Sequence, residues 1–159
     1  MGNIFAGSEI VEIGIQIEKN GRDFYNILTK QSDNPKAQSL FAFLSQEEEK
    51  HIKAFQEILQ KTQRYEPQGL DSDDYYAYLN SLASEHVFTK AGKGEEMAKM
   101  AKTDEEGFDL AVGFEKESII FYEAMKRVVP DFDLKILEEL IAQEVNHLRK
   151  LTELRKSIK

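Results

Sequence analysis

Two pairs of side chains in this sequence have the types and the spacing to hold metal ions. Glu48 and His51 stand three residues apart in Leu44-Ser45-Gln46-Glu47-Glu48-Glu49-Lys50-His51, and Glu144 and His147 repeat the spacing near the C-terminus. On a helix, residues three apart stack on one face, one turn from each other. A carboxylate and an imidazole held that way are donors that a first-row divalent metal accepts. A single such pair in a Glu-rich helical chain is most simply a solvated face. These two pairs interrupt hydrophobic seams instead. One seam reads Ala37, Phe41, Leu44, Glu48, His51, Phe55, Ile58; the other reads Leu137, Leu140, Glu144, His147, Leu151, Leu154, Ile158. In each, Glu and His occupy places that the period assigns to the core.

The elements that must position these residues are helices. Abundant Glu, Lys, Leu, Ala and Gln, with three prolines and nine glycines, point to an all-α domain. Ser8, with Glu9 and Glu12 behind it, is expected to cap a helix over 8–31. Asn34-Pro35 reads as N-cap and first turn of a second helix over 34–62. A loop is expected from Arg64 to Leu70. A shorter helix capped by Asp71-Ser72-Asp73-Asp74 should then run to about Ser84, and one or two helical turns are expected over Glu95–Lys102, after the interruptions at Gly92 and Gly94. The span 64–102 is therefore a partly helical crossover. Thr103, with Glu106 in the capping-box position, opens a helix over 103–129, and Pro130-Asp131 begins the last, over 131–157. The whole chain, 1–159, reads as one domain: a four-helix bundle of two helical hairpins joined by the long crossover.

The hairpins repeat one another. Ile17-Glu18-Lys19 with Phe24-Tyr25 matches Phe114-Glu115-Lys116 with Phe121-Tyr122 at an offset of 97 residues, and Gln46–His51 matches Ala142–His147 at an offset of 96. Glu18 and Glu48 lie equally far from the turn near Asp33, roughly 22 Å along antiparallel helices at about 1.5 Å per residue. Glu115, Glu144 and His147 stand at nearly the same level relative to Pro130. All six residues can share one layer of the bundle.

Four carboxylates buried without counter-charge would cost several kcal/mol per ion. Two divalent cations balance them, and two neutral imidazoles complete the coordination. One Glu from each of two helices and a Glu-x-x-His from each of the others form the ligand set of a carboxylate-bridged dinuclear site. Glu48 and Glu144 would bridge, Glu18 and Glu115 would be terminal, and His51 and His147 would take one metal each. Iron fits this O/N donor set with open positions for an oxidant; manganese is the main rival, and zinc can occupy such sites. Tyr25 and Tyr122, seven residues after Glu18 and Glu115, face the same way. They can hydrogen-bond a ligand carboxylate or relay a proton or electron, or be bundle core with a satisfied hydroxyl. Glu47 and Gln143, each four residues before a proposed His ligand, are placed to contact it, although an exposed Glu47 fits the pattern as well. His86, in the crossover, has no partner at a matching spacing and reads as structural.

Composition excludes other classes. With 29 acidic against 21 basic residues the net charge is −8, which argues against nucleic acid or an anionic membrane as partner. The absence of cysteine excludes disulfides, thiolate-held zinc or iron–sulfur and a thiol nucleophile. No run is long enough to span a bilayer, and no basic stretch precedes the early Ile and Phe, so the expectation is a cytoplasmic protein without a signal peptide.

In its E … E-x-x-H … E … E-x-x-H order and spacing, the chain resembles the diiron domain of rubrerythrin, within the ferritin-like superfamily, over most of its length. The resemblance implies a ferritin-like bundle with a long crossover, a centre of two iron ions and a homodimer. It also implies reduction of hydrogen peroxide or dioxygen with electrons from a rubredoxin-type centre. Two features depart from it. The rubredoxin-like domain is missing, since there is no cysteine, so the electrons must come from a separate donor protein. The family's extra Glu, three residues after the third-helix ligand, is here Ser118. The expectation is a rubrerythrin-like di-iron oxidoreductase; an iron-binding ferroxidase of storage type and a metal-dependent scaffold without turnover are the alternatives.

Overall fold

The hairpins begin at caps that the sequence marks. Asn34 Oδ1 accepts hydrogen bonds from the backbone N–H groups of Lys36 and Ala37, at 2.9 and 3.1 Å, and so starts a helix at Pro35, whose missing N–H leaves no orphan there. Thr103 does the same for the second hairpin, its Oγ1 accepting from Glu106 N–H at 3.1 Å. The Glu106 carboxylate reaches back to Lys102 N–H at 2.6 Å, one residue further than the reciprocal arrangement expected.

The computed structural model describes residues 7–62, 73–86, 88–127, 129 and 131–158. Its helices are α1 (Gly7–Gln31), α2 (Pro35–Thr62), α3 (Asp73–Glu85), α4 (Lys93–Met100), α5 (Asp104–Met125) and α6 (Leu134–Ile158), with a single 3-10 turn over Asp131–Asp133. There is no strand among the described residues, and the fold is all-α, a bundle of four long helices with two shorter ones in the crossover. The loop expected over 64–70, the caps Asp71 and Ser72, and Pro130 lie outside the described residues. α1 pairs with α2 and α5 with α6, and the two hairpins close on each other through α1 against α5 and α2 against α6.

Several helix ends differ from the expectation. Ser8 lies inside α1, which already includes Gly7, so it does not cap it. α5 ends at Met125 rather than near 129, because the N–H groups of Lys126 and Arg127 tighten onto the carbonyls of Glu123 and Ala124, three residues back. α6 begins at Leu134, after the 3-10 turn, rather than at 131.

The crossover is more ordered than its glycines suggest. Gly92 adopts a left-handed conformation (φ 82°) that a side chain would resist, and α4 starts directly after it. Gly94 lies so close to α1 that a Cβ there would collide with the backbone carbonyl of Asn20. Asn20 is itself buried and fastens the crossover. Its amide donates to the carbonyls of Phe88 and Lys90 at 2.6 and 2.7 Å, and its Oδ1 accepts from Gly94 N–H at 3.2 Å. Phe88 then slots between α1 and α5, its ring 5.3 Å from Phe24 and 4.6 Å from Phe114 between centroids. α3 lies on α5, with the Tyr75 hydroxyl donating to the Ala124 carbonyl and the Arg127 guanidinium 4.6 Å over the Tyr75 ring.

Both seams face inward. Ala37, Phe41, Leu44, Phe55 and Ile58 are buried on α2, as are Leu137, Leu140 and Leu151 on α6; Leu154 and Ile158 are partly covered towards the end. The residues that break the seams are buried with them.

Candidate metal centre

Each helix of the bundle delivers its share to one layer: Glu18 from α1, Glu48 and His51 from α2, Glu115 from α5, Glu144 and His147 from α6. All six are 2 % exposed or less. They form two quartets: Glu18, Glu48, His51 and Glu144 in one, and Glu48, Glu115, Glu144 and His147 in the other. In each quartet one donor atom per residue lies within 4.8 Å of all the others. Glu48 and Glu144 belong to both. His51 Nδ1 is 2.6 Å from Glu144 Oε1, 3.5 Å from Glu18 Oε2 and 3.9 Å from Glu48 Oε2. His147 Nδ1 is 3.7, 3.8 and 3.9 Å from Glu48, Glu144 and Glu115 Oε1. The two imidazoles stack at 5.6 Å between centroids.

Eight atoms here are buried without a well-formed hydrogen bond: Glu18 Oε2, Glu115 Oε2, both carboxylate oxygens of Glu48 and of Glu144, and Nδ1 of each histidine, the close approach of His51 Nδ1 to Glu144 Oε1 not being aligned as one. Native folds leave only scattered groups of this kind, because each forfeits its hydration for nothing, and eight gathered in one layer call for a common partner. Two divalent cations would satisfy all eight, so the residues fit a dinuclear metal group. The electrostatics agree. Burial, and then the Glu144 charge, push the Glu115 carboxyl well above its ordinary range, although the Tyr25 hydroxyl works the other way. Burial pulls His51 down, but Glu144 and Glu18 outweigh it and hold the imidazole well above its usual value. His147 is pushed down to about 3 by burial, with His51 and Lys150 adding to it. The cluster is short of positive charge: protons on His51 and on the Glu115 carboxyl would supply part of it, and two metal cations would supply the rest.

The remaining oxygens are held crosswise. Tyr25, from α1, donates to Glu115 Oε1 on α5, and Tyr122, from α5, donates to Glu18 Oε1 on α1, both at 2.7 Å. Both rings are fully buried core. Burial first, and then the neighbouring carboxylates, raise both phenols well above their usual range, so they stay protonated donors.

The chain matches the rubrerythrin family over residues 9–155. It belongs to that family. The fold of this rubrerythrin-family chain is also similar to that of a protein from Thermotoga maritima described as a ferritin-like diiron-carboxylate protein. The TM-score is 0.71 and the identity 22 %, with the whole of both chains covered. No curated protein matches the sequence.

Around the six residues the two halves part company, and here the sequence spoke less clearly. Gln143 does contact a histidine, but across the bundle: its Oε1 lies 2.7 Å from His51 Nε2, not on His147 of its own helix. Glu47 instead pairs with Lys50 at 3.0 Å, and His147 has no hydrogen bond of this kind among the described residues. His86 is buried and bonded to Ser118, Nε2 to Oγ, at 3.1 Å. The signal for that pair was available: Ser118 is a polar residue between Glu115 and Tyr122, on the same helical stripe.

Proposed function

We propose that the protein is a dinuclear-iron oxidoreductase of rubrerythrin type, reducing hydrogen peroxide or dioxygen. The observation that carries this reading is the pair of buried quartets sharing Glu48 and Glu144, with eight unsatisfied donor atoms facing inward. Glu48 and Glu144, common to both quartets, would be shared by the two metals, Glu18 and Glu115 would each serve one, and so would His51 and His147. When bound, the irons supply two electrons and Lewis acidity to an O–O bond; with two protons, peroxide becomes two waters. The chain's own part is to fix the carboxylates and keep water out. Tyr25 and Tyr122 orient Glu115 and Glu18, and Gln143 orients His51. Having no cysteine, these residues hold no thiolate-ligated centre, so electrons come from a centre outside them, on a donor protein. No described helix is long and apolar enough to cross a membrane. A cytoplasmic homodimer is part of the proposal.

The test is anaerobic reconstitution with ferrous iron, elemental analysis, and stopped-flow oxidation by peroxide and by air-saturated buffer. Two irons per chain, oxidised faster by peroxide, are expected. Iron accumulating well beyond two per chain, in a large shell on size exclusion, would establish the storage-type ferroxidase instead. Negligible metal uptake, with thermal stability unmoved by a chelator, would defeat both.

A further inference from the structure

The ligand set repeats almost symmetrically, but the positions between the ligands do not. On α1 the inward stripe runs Glu18, Gly21, Tyr25; on α5 it runs Glu115, Ser118, Tyr122. The offset of 97 residues makes Gly21 and Ser118 equivalent, as the companion offset makes Glu48 and Glu144. A Cβ at Gly21 would come 2.6 Å from a Phe114 ring carbon and 3.3 Å from Glu48 Oε2. That stripe position thus looks onto a bridging carboxylate, and on the first half nothing larger than hydrogen fits there. On the second half the equivalent position carries a hydroxyl, fully buried.

That hydroxyl is held from behind. His86 Nδ1 accepts the backbone N–H of Phe88 at 3.1 Å, and burial lowers the imidazole to about 4, so the ring is neutral. With Nδ1 accepting, the proton is on Nε2, and Nε2–H donates to Ser118 Oγ. Thr29 and Ser81 in their helices turn their hydroxyls back to the carbonyl four residues earlier. Ser118 does not, and makes no hydrogen bond other than to His86 among the described residues. Its oxygen is occupied as acceptor while its proton is left to give.

Resting on the di-iron reading above, we propose that Ser118, oriented by His86, donates a hydrogen bond to the small O–O or other anionic ligand that binds on the Glu115/His147 side of the centre. Exogenous ligands then bind asymmetrically at a nearly symmetric site. Ser118 touches the ligand; His86 is a positioning residue that acts through it.

Azide, a small anion, is the probe. The wild type and the Ser118→Ala, Ser118→Thr, His86→Leu and His86→Gln variants are loaded with iron, assayed for metal content and oxidised. Each is then titrated with azide through the azide-to-iron charge-transfer absorption. At equal iron content, Ser118→Ala and His86→Leu should weaken azide binding about tenfold, the effect of one hydrogen bond to an anion. Ser118→Thr, which keeps the hydroxyl, should restore it, as should His86→Gln, which keeps a donor at similar reach. Unchanged azide affinity in Ser118→Ala overturns the proposal. So does iron loss in Ser118→Ala that Ser118→Thr repairs, because the hydroxyl would then serve a ligand carboxylate. Iron absent from the wild type would overturn the di-iron reading, and this inference with it.

Discussion

The two hairpins carry the same six-residue pattern in different surroundings. In the first, Gly21 leaves the space beside Glu48 to the Phe114 ring, and Asn20 spends its side chain fastening the crossover. In the second, the equivalent positions are Ser118, backed by His86, and Glu117. His51 is held by Gln143, while Glu47, the counterpart of Gln143, turns to Lys50. What is duplicated is what binding two cations requires. Part of what differs is what touches the crossover, Asn20 directly and Ser118 through His86, since one crossover cannot meet both halves alike. Symmetry in the metal layer and asymmetry around it are therefore separable properties of the sequence.

The sharpest way to break that symmetry is through the shared carboxylates. Glu48→Ala or Glu144→Ala removes a donor from both quartets, and elemental analysis should find almost no bound metal. Glu18→Ala and Glu115→Ala each damage one quartet, so about one ion per chain should remain, as far as the two quartets act independently. Equal losses in all four variants would show that the quartets fill only together.

His86 belongs to one half alone, and its titration gives the next effect. Its imidazole is lowered to about 4 in the fold from about 6.5 unfolded. It therefore contributes stability that is present above pH 6.5 and lost as pH falls through the folded value. The shift is equivalent to roughly 3 kcal/mol. The charged group facing it is Glu117, whose Oε2 lies 3.6 Å from Nδ1. Urea unfolding of the metal-free protein at pH 7 and pH 4 should therefore show a smaller loss in His86→Gln than in the wild type, with the site carboxylates common to both. Identical losses would mean that His86 is already charged in the fold.

The smallest contrast compares Gln143→Leu with Glu47→Leu. Losing the group that orients His51 should weaken metal binding about tenfold, measured by competition with a chromogenic chelator, whereas Glu47→Leu should change it little. Matching effects would place Glu47 on His147 after all.

The convergence of the six candidate ligands in one buried layer was legible because two independent regularities met in it. Helical periodicity marked Glu48, His51, Glu144 and His147 as core, and the repeat supplied Glu18 and Glu115 at the same level. Both are properties of single helices and their spacing, which a linear sequence encodes directly. The crossover was harder, because Gly92 and Gly94 read as breaks. In the fold one provides a left-handed helix start and the other lets α4 meet the α1 backbone, and such close approach depends on a neighbour more than seventy residues away. Helix ends at Met125 and Leu134 were missed for a local reason, since the last turns tighten into 3-10 geometry that composition does not signal. That Gln143 would serve His51 depends on how α2 and α6 cross, which periodicity within either helix cannot give.

The crosswise tyrosines bear on how such a chain could have arisen. Tyr25 holds the carboxylate of the other hairpin and Tyr122 returns the bond, so neither hairpin completes its own ligands. A lone ancestral hairpin with one Glu, one Tyr and one Glu-x-x-His would have had the full set only as a two-fold dimer, each copy lending its phenol to the other. Fusing two copies through the crossover makes that exchange intramolecular and raises the effective concentration of the halves. Each copy was then free to change the residues around its ligands without losing its partner.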